Sequence, residues 1–287
     1  ELTSNEAGIV FRKDKTFLLD WMQVYMEAQE SAGKKDGSQI KIAMRILKDY
    51  AGEMVTLDQI DGDFCRGYIT YLLTEYHPKG KDISNYTLHN YYRALNGALN
   101  SAVRKRKMKA NPFNELEKSE KIRKPESMRS YMTIEEVQAL IDTPMPHEEY
   151  EIVKCAYLFS CFCGLRISDI IKLKWNDVFV DRGQYRLAVS MKKTKEPIYL
   201  PLSPEALKWM PERGGKSSED NVFDLPSANT IRMQLKPWAK AAGISKRFSY
   251  HTSRHTFATM MLTLGADLYT VSKLLGHADV KMTQVYA

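Results

Sequence analysis

Three of the six histidines fall at or after position 251, among other groups suited to phosphate chemistry. They are His251-Thr252-Ser253-Arg254-His255, then Leu274-Leu275-Gly276-His277, with Tyr286 close behind. His251 and Arg254 are three residues apart, so at a helix start they share one face. An arginine and a histidine aimed together suit a phosphate, as a planar fork for two oxygens plus one further donor. Zinc is the competing chemistry. His251 and His255 have the i, i+4 spacing, but no glutamate lies between them, and Cys161-Phe162-Cys163 has no second pair at zinc spacing. No metal and no other cofactor is expected. Taken singly, each histidine reads equally as a capped or core residue.

A phosphodiester is already negative, and attack on it builds more charge on the non-bridging oxygens. Arginines and imidazoles can stabilise that charge without a metal. A phenol ordinarily titrates near pH 10, so it ionises at neutral pH only in an electropositive pocket. Lysine plus arginine exceed aspartate plus glutamate by 42 − 35 = 7, a mild pointer to a polyanion such as nucleic acid.

The elements that must position these groups fall into two regions, as the 287 residues suggest at roughly 100–200 residues per domain. Residues 1–117 read as a helical domain. Phe17, Leu18, Trp21, Met22 and Tyr25 recur at helical spacing, as do Ile40, Ala43, Ile46 and Leu47, then Phe64, Tyr68, Ile69 and Leu72. A fourth helix runs from the cap candidate Ser84 to about Lys109. It ends in Arg104, Lys105, Arg106, Lys107 and Lys109, either a solvated helix end that favours cations or a phosphate-contacting edge. Residues 118–130 read as a basic linker. Its Lys118, Lys121, Arg123, Lys124 and Arg129 could follow a DNA backbone or simply be solvated.

Residues 131–287 read as a second domain. It opens on a capping box at Thr133 and Glu136, with helices near 133–142 and 148–163. Three β-prone runs follow at 177–180, 185–189 and 197–200, then helices near 203–209, 227–242, 252–264 and 267–275. Gly243, Gly265 and Gly276 stand where helix ends are expected. The fold class is mainly α with a small antiparallel β-sheet. Cys155, Cys161 and Cys163 read as core hydrophobes of a reducing cytosol. No stretch is apolar enough for a membrane helix. The first residues show no signal peptide, and without an initial Met the chain is expected to be a fragment.

Cys163-Gly164-Leu165-Arg166-Ile167-Ser168-Asp169-Ile170 resembles the first box of the tyrosine recombinases, the phage and mobile-element integrases. The stretches His251-x-x-Arg254 and Leu274-Leu275-Gly276-His277, with Tyr286 nine residues later, resemble the second box and its nucleophile. Met191-Lys192-Lys193-Thr194-Lys195 resembles the lysine motif of the family's β-hairpin. The resemblance covers the C-terminal domain well. The N-terminal bundle is similar to the family's core-binding domain only in size, helicity and position.

The resemblance implies a site-specific recombinase that cleaves and rejoins duplex DNA through a covalent 3′-phosphotyrosyl intermediate, so that rejoining requires no ATP. It implies Arg166 and Arg254 as phosphate clamps and His277 as a phosphate donor. His251 would assist proton transfer at the Tyr286 nucleophile. Lys193 would be the general acid, with Lys192 and Lys195 as competitors. Asp169 would orient Arg166 or serve as a plain helix acid, and His255 would pack or cap. Base contacts are expected from the helix ending at Lys109 and from 227–242, through Arg232 and Lys236 among others. Partners would be duplex DNA at a recombination site, further copies of the chain (a dimer on one site, a tetramer at synapsis) and a host DNA-bending protein. The setting would be a bacterial cytosol or nucleoid, with no membrane. The chain stops one residue after Tyr286, so a C-terminal tail is expected beyond it, and residues 1–10 are too few for an arm-binding domain. A type IB topoisomerase and a non-catalytic DNA-binding module are the rival readings.

Overall fold

The computed structural model describes residues 15–125, 129–190 and 197–287. The chain divides into two compact units, Glu1–Ser127 and Met128–Ala287. The first is a bundle of α1 (Leu18–Ser31), α2 (Gly37–Ala51), α3 (Gly62–Thr74) and α4 (Asn85–Arg104). Each helix turns its apolar stripe inward, through Trp21, Met22 and Met26, through Ala43, Ile46 and Leu47, through Tyr68 and Leu72, and through Leu95, Ala98 and Leu99. The indole of Trp21 donates to the carbonyl of Ala98 at 2.8 Å, tying α1 to the middle of α4. The segment expected as linker contributes to this unit. Ile122 is part of its core, and Arg66 pairs with Glu120 at 2.8 Å.

The Oγ of Ser84 accepts from Thr87 N–H, so α4 begins where its cap residue predicts. Its end differs from expectation. The helix closes at Arg104, five residues early, because Lys107 N–H bonds back to Ala102 C=O and Arg106 N–H to Val103 C=O. That is the Schellman closure, which needs a left-handed residue, here Arg106 at φ 57°. No glycine announces it. Lys105, Arg106, Lys107 and Lys109 therefore stand, exposed, on an irregular turn rather than on a helix face.

The second unit is built around α6 (Glu151–Cys163) and α10 (Tyr250–Thr263). Ala156, Tyr157, Leu158, Phe159, Ser160 and Cys161 of α6 are all fully buried, so this helix runs through the core rather than over it. The Tyr250 hydroxyl donates to Ala156 C=O at 2.6 Å and bonds Ser160 Oγ at 2.9 Å, joining the two helices by buried polar groups. The capping box of α5 (Ile134–Asp142) forms as expected, with Thr133 N–H donating to Glu136 at 2.7 Å. Strands β1 (Val178–Asp181), β2 (Gln184–Ser190) and β3 (Pro197–Pro201) make an antiparallel sheet in the order β1-β2-β3. Leu187, Val189 and Leu200 are buried on one face, where Leu187 pairs with Leu200, while the neighbouring Tyr199 is exposed on the other, the period-two pattern of a half-covered sheet. Val180 and Tyr185 pair on the inward face but are exposed at the hairpin end. The helices α7 (Ile167–Ile170), α8 (Pro204–Lys208), α9 (Ala228–Ala241) and α11 (Leu268–Leu274) complete the unit. Among the described residues no helix is long and apolar enough to cross a membrane.

Candidate active site

The site is assembled at the end of α6, where the chain must reverse within three residues. Gly164 caps the helix in the left-handed conformation, at φ 74°. A Cβ there would lie 2.5 Å from the Phe257 ring of α10, so only glycine allows these helices to approach so closely. The turn points the Gly164 carbonyl at α10, where it accepts from Arg254 Nη1 at 2.7 Å. Arg254 Nη2 donates to the carbonyl of Leu275, at the end of α11. The guanidinium is thus held by main-chain atoms from two other segments. Its residue is 1% exposed.

Arg166 follows the same turn and caps α7, with its backbone N–H donating to the Asp169 carboxylate at 3.4 Å. Asp169 also accepts from Ser168 Oγ at 3.2 Å, so its carboxylate organises the helix start beside Arg166. The two arginines act on each other. Burial, and then the positive charge of Arg166, bring the Arg254 guanidinium down to about 10, against smaller opposing effects of Tyr286 and Asp169. Two like charges brought close beside a buried wall form a site that gains energy when an anion enters.

Tyr286 closes the arrangement. Its ring packs on the small cluster of Phe257, Ala258, Val271 and Leu275, and its hydroxyl has two partners. His255 Nδ1 lies 2.6 Å away, and Arg129 Nη1 donates at 2.7 Å. The Arg129 guanidinium also sits 5.1 Å from the centre of the phenol ring. The His251 ring meets the His255 ring edge-on at 4.5 Å. Both imidazoles are pushed toward the neutral form. For His251 the causes are desolvation, then Arg254, Arg166 and Arg129. His255 falls to about 4, through burial, then His251, Arg129, Arg254 and His277. His277 Nδ1 shares a 2.7 Å hydrogen bond with Thr283, a fully buried residue, which fixes the ring on the turn after α11.

The described positions Arg166, Asp169, His251, Arg254, His277 and Tyr286 are thus brought together in the second unit through hydrogen bonds and mutual electrostatics. Lys192, Lys193 and Lys195 lie outside the described residues. Arg232 and Lys236 are exposed on α9, where Arg232 Nη2 donates to Asn229 Oδ1 at 2.7 Å. Arg104, Lys105, Arg106, Lys107 and Lys109 belong to the first unit, where Lys105 Nζ sits 5.7 Å over the Trp21 ring. Two residues at the phenol were not singled out by the sequence. His255, expected to pack or cap, bonds the Tyr286 hydroxyl, and so does Arg129, expected to follow a DNA backbone or to be solvated in the linker. The i, i+4 spacing of His255 from His251 was the one signal available for the first; nothing local marked the second. Among the described residues no cluster of three or more His, Cys, Asp or Glu could hold a metal ion.

A family profile described as "Phage integrase family" matches residues 130–287, and one described as "Phage integrase SAM-like domain" matches residues 17–124. The tyrosine recombinase XerD of Vibrio vulnificus is 33% identical over 177 residues, covering 56% of this chain and 57% of that protein. A tyrosine recombinase of Pseudothermotoga lettingae is 30% identical over 229 residues, covering 72% of this chain and 78% of its own. The chain spans just under three fifths of the length of the XerD relatives it matches, 56–57%. Among solved structures, the Tn1549 transposon integrase bound to circular intermediate DNA aligns over 94% of both chains, with a TM-score of 0.73 at 17% identity. A lambda integrase tetramer bound to a Holliday junction aligns over 96% of this chain and 78% of its own, with a TM-score of 0.71 at 21% identity.

Proposed function

This chain belongs to the phage integrase family, and we propose that it is a metal-independent, site-specific tyrosine recombinase. It would cleave and rejoin duplex DNA through a 3′-phosphotyrosyl intermediate, and so integrate, excise or invert a DNA segment. The observation that carries this reading is the pairing of Arg166 with a fully buried Arg254 beside the hydroxyl of Tyr286. Burying a guanidinium beside a second cation costs free energy in the unliganded protein. A scissile phosphate taken between the two would repay that cost, and most strongly as charge builds in the pentacovalent transition state.

In this reading Arg166 and Arg254 clamp the non-bridging oxygens, and His277 adds a hydrogen bond. Tyr286 attacks the phosphorus, with His251 assisting proton transfer, and Lys193 of the β2–β3 connection protonates the leaving 5′-oxygen. Asp169 orients the turn that carries Arg166. Residues 1–117, with the adjoining segment through Ile122, would form the core-binding domain, and the second unit, Arg129 included, the catalytic domain. Arg104, Lys105, Arg106, Lys107 and Lys109 contact DNA from the first, and Arg232 and Lys236 from the last. The solved relatives bound to DNA, and the tetrameric lambda complex among them, support a dimer on one site and a tetramer at synapsis. A host DNA-bending protein completes the assembly, in the bacterial cytosol or nucleoid.

The test is a selection from nicked duplexes with randomised flanks, recovered as complexes that survive SDS and then sequenced. The wild-type chain should enrich one bipartite site, and Tyr286→Phe should bind that site without becoming linked to it. A linked Tyr286→Phe complex would refute Tyr286 as nucleophile. No linked complex from the wild type would refute the recombinase reading.

A further inference from the structure

The Tyr286 hydroxyl sits between two groups of opposite hydrogen-bonding capacity. A guanidinium can only donate, so the 2.7 Å contact from Arg129 Nη1 occupies a lone pair of Oη. The phenol's own hydrogen can then go to the second partner, His255 Nδ1, at 2.6 Å. In that arrangement His255 accepts on Nδ1 and carries its ring proton on Nε2. We propose that His255 is the base that receives the proton of Tyr286, and that Arg129 stabilises the phenolate left behind. The inference rests on the recombinase reading for what the phenolate attacks.

The placement of both groups is built in. His255 sits on α10, one residue after the buried Arg254 and one before Thr256, whose Oγ1 accepts from the backbone N–H of Met132 at 2.9 Å. That bond pins the segment carrying Arg129 to the same stretch of α10. Arg129 is therefore a component of the second unit's site. His251 has its ring 4.5 Å from that of His255, so it lies next in line to pass a proton to solvent.

Electrostatics make the base responsive to substrate. The groups that face His255 are His251 and Arg254 from its own helix, Arg129 from the segment before α5, His277 from the turn after α11, and Tyr286 itself. None is a carboxylate, and together with burial the cationic ones keep the imidazole neutral and ready to accept. A phosphodiester taken between Arg166 and Arg254 neutralises part of that field, which raises the proton affinity of His255 as the substrate arrives. In the step itself the Oη–H proton passes to His255 Nδ1, the Oη–P bond forms and the P–O5′ bond breaks. The 5′-oxygen leaves as an alcohol with the proton supplied by Lys193, and religation runs the same transfers backwards.

Two measurements test the assignment. The first uses the DNA-free protein with ¹⁵N-labelled histidine. The Nδ1 of His255 should be unprotonated and its Nε2 protonated, and the Nδ1 resonance should move in Tyr286→Phe. A protonated Nδ1, or no movement in that variant, would overturn the proposal. The second is the single-turnover rate of covalent-complex formation on the duplex recovered by selection. His255→Asn keeps a hydrogen-bond acceptor of similar size but cannot carry the proton, so it should bind DNA normally and react ~10²–10³-fold more slowly. His255→Ala should be equally slow and should recover at least tenfold with added imidazole. A His255→Asn rate within twofold of wild type, or imidazole rescue of His251→Ala in place of His255→Ala, would assign the base to His251. Failure of the wild type to link to any duplex would count against the recombinase reading alone, and the nitrogen resonances would still decide the proton acceptor.

Discussion

His255 should make the second unit lose stability in mild acid, by an amount the site itself sets. Its imidazole falls from the ordinary 6.5 to about 4 in the folded chain. The folded state therefore binds this proton less readily than the unfolded state. Above pH 6.5 neither state is protonated and the contribution is fully present. Between 6.5 and 4 only the unfolded chain gains the proton, so stability falls as pH falls, and below 4 the loss is complete. Before solvent screening, that drop corresponds to about 2 kcal/mol at pH 5. The ring is only partly covered, so solvent screening reduces the pH 5 figure to about 1 kcal/mol. His251 adds a further loss of the same sign. Urea unfolding followed by tryptophan fluorescence reports on this unit, because Trp175, Trp209 and Trp238 of the four tryptophans lie in it. Between pH 7 and pH 5, His255→Asn should lose about 1 kcal/mol less than wild type. Equal losses in the two proteins would refute the depressed imidazole and the cationic surroundings held responsible for it.

Three further outcomes are expected. Covalent-complex formation should proceed in excess EDTA without nucleotide, and loss of cleavage restored by a divalent ion would replace the proposed chemistry with a metal-dependent one. Lys193→Ala should slow cleavage by ~10²–10⁴-fold, and a duplex with sulfur at the bridging 5′ position should restore most of the rate; rescue of Lys192→Ala instead would shift the general acid by one residue. Gly164→Ala combines a left-handed alanine with a clash against Phe257, so thermal and urea unfolding should show a loss of about 2–4 kcal/mol, and a stability within ~0.5 kcal/mol of wild type would mean the turn relaxes freely.

Much of this architecture is legible in the residues because it depends on local rules. The caps at Ser84 and Thr133, the apolar stripes of the first four helices and the alternation around Leu187 and Val189 all act over a few positions, and each element forms near its expected place. The end of α4 departs from its periodicity because Arg106 adopts a conformation that glycine usually signals. The pairing of His255 and Arg129 with Tyr286 spans 31 and 157 residues of chain. It is a product of how α10, the segment before α5 and the last turn pack together, and no periodicity encodes it. His255 had an ambiguous pattern for the same reason. Thr252, Ser253, Arg254 and Thr256 are buried on α10 alongside Phe257 and Ala258, so polarity on this helix does not distinguish the side facing the core from the side facing the site.

Arg254 is fastened by two main-chain carbonyls, those of Gly164 and Leu275. A carboxylate partner could be lost or exchanged by a single codon change, whereas a carbonyl is present whatever residue carries it. The position of the charge is therefore inherited from the path of the backbone and is insulated from drift in the side chains of its neighbours. The exposed cations of α9 and of the turn after α4 can change without moving that charge. The molecule thus separates a buried charge whose position resists mutational change from exposed positions that tolerate it.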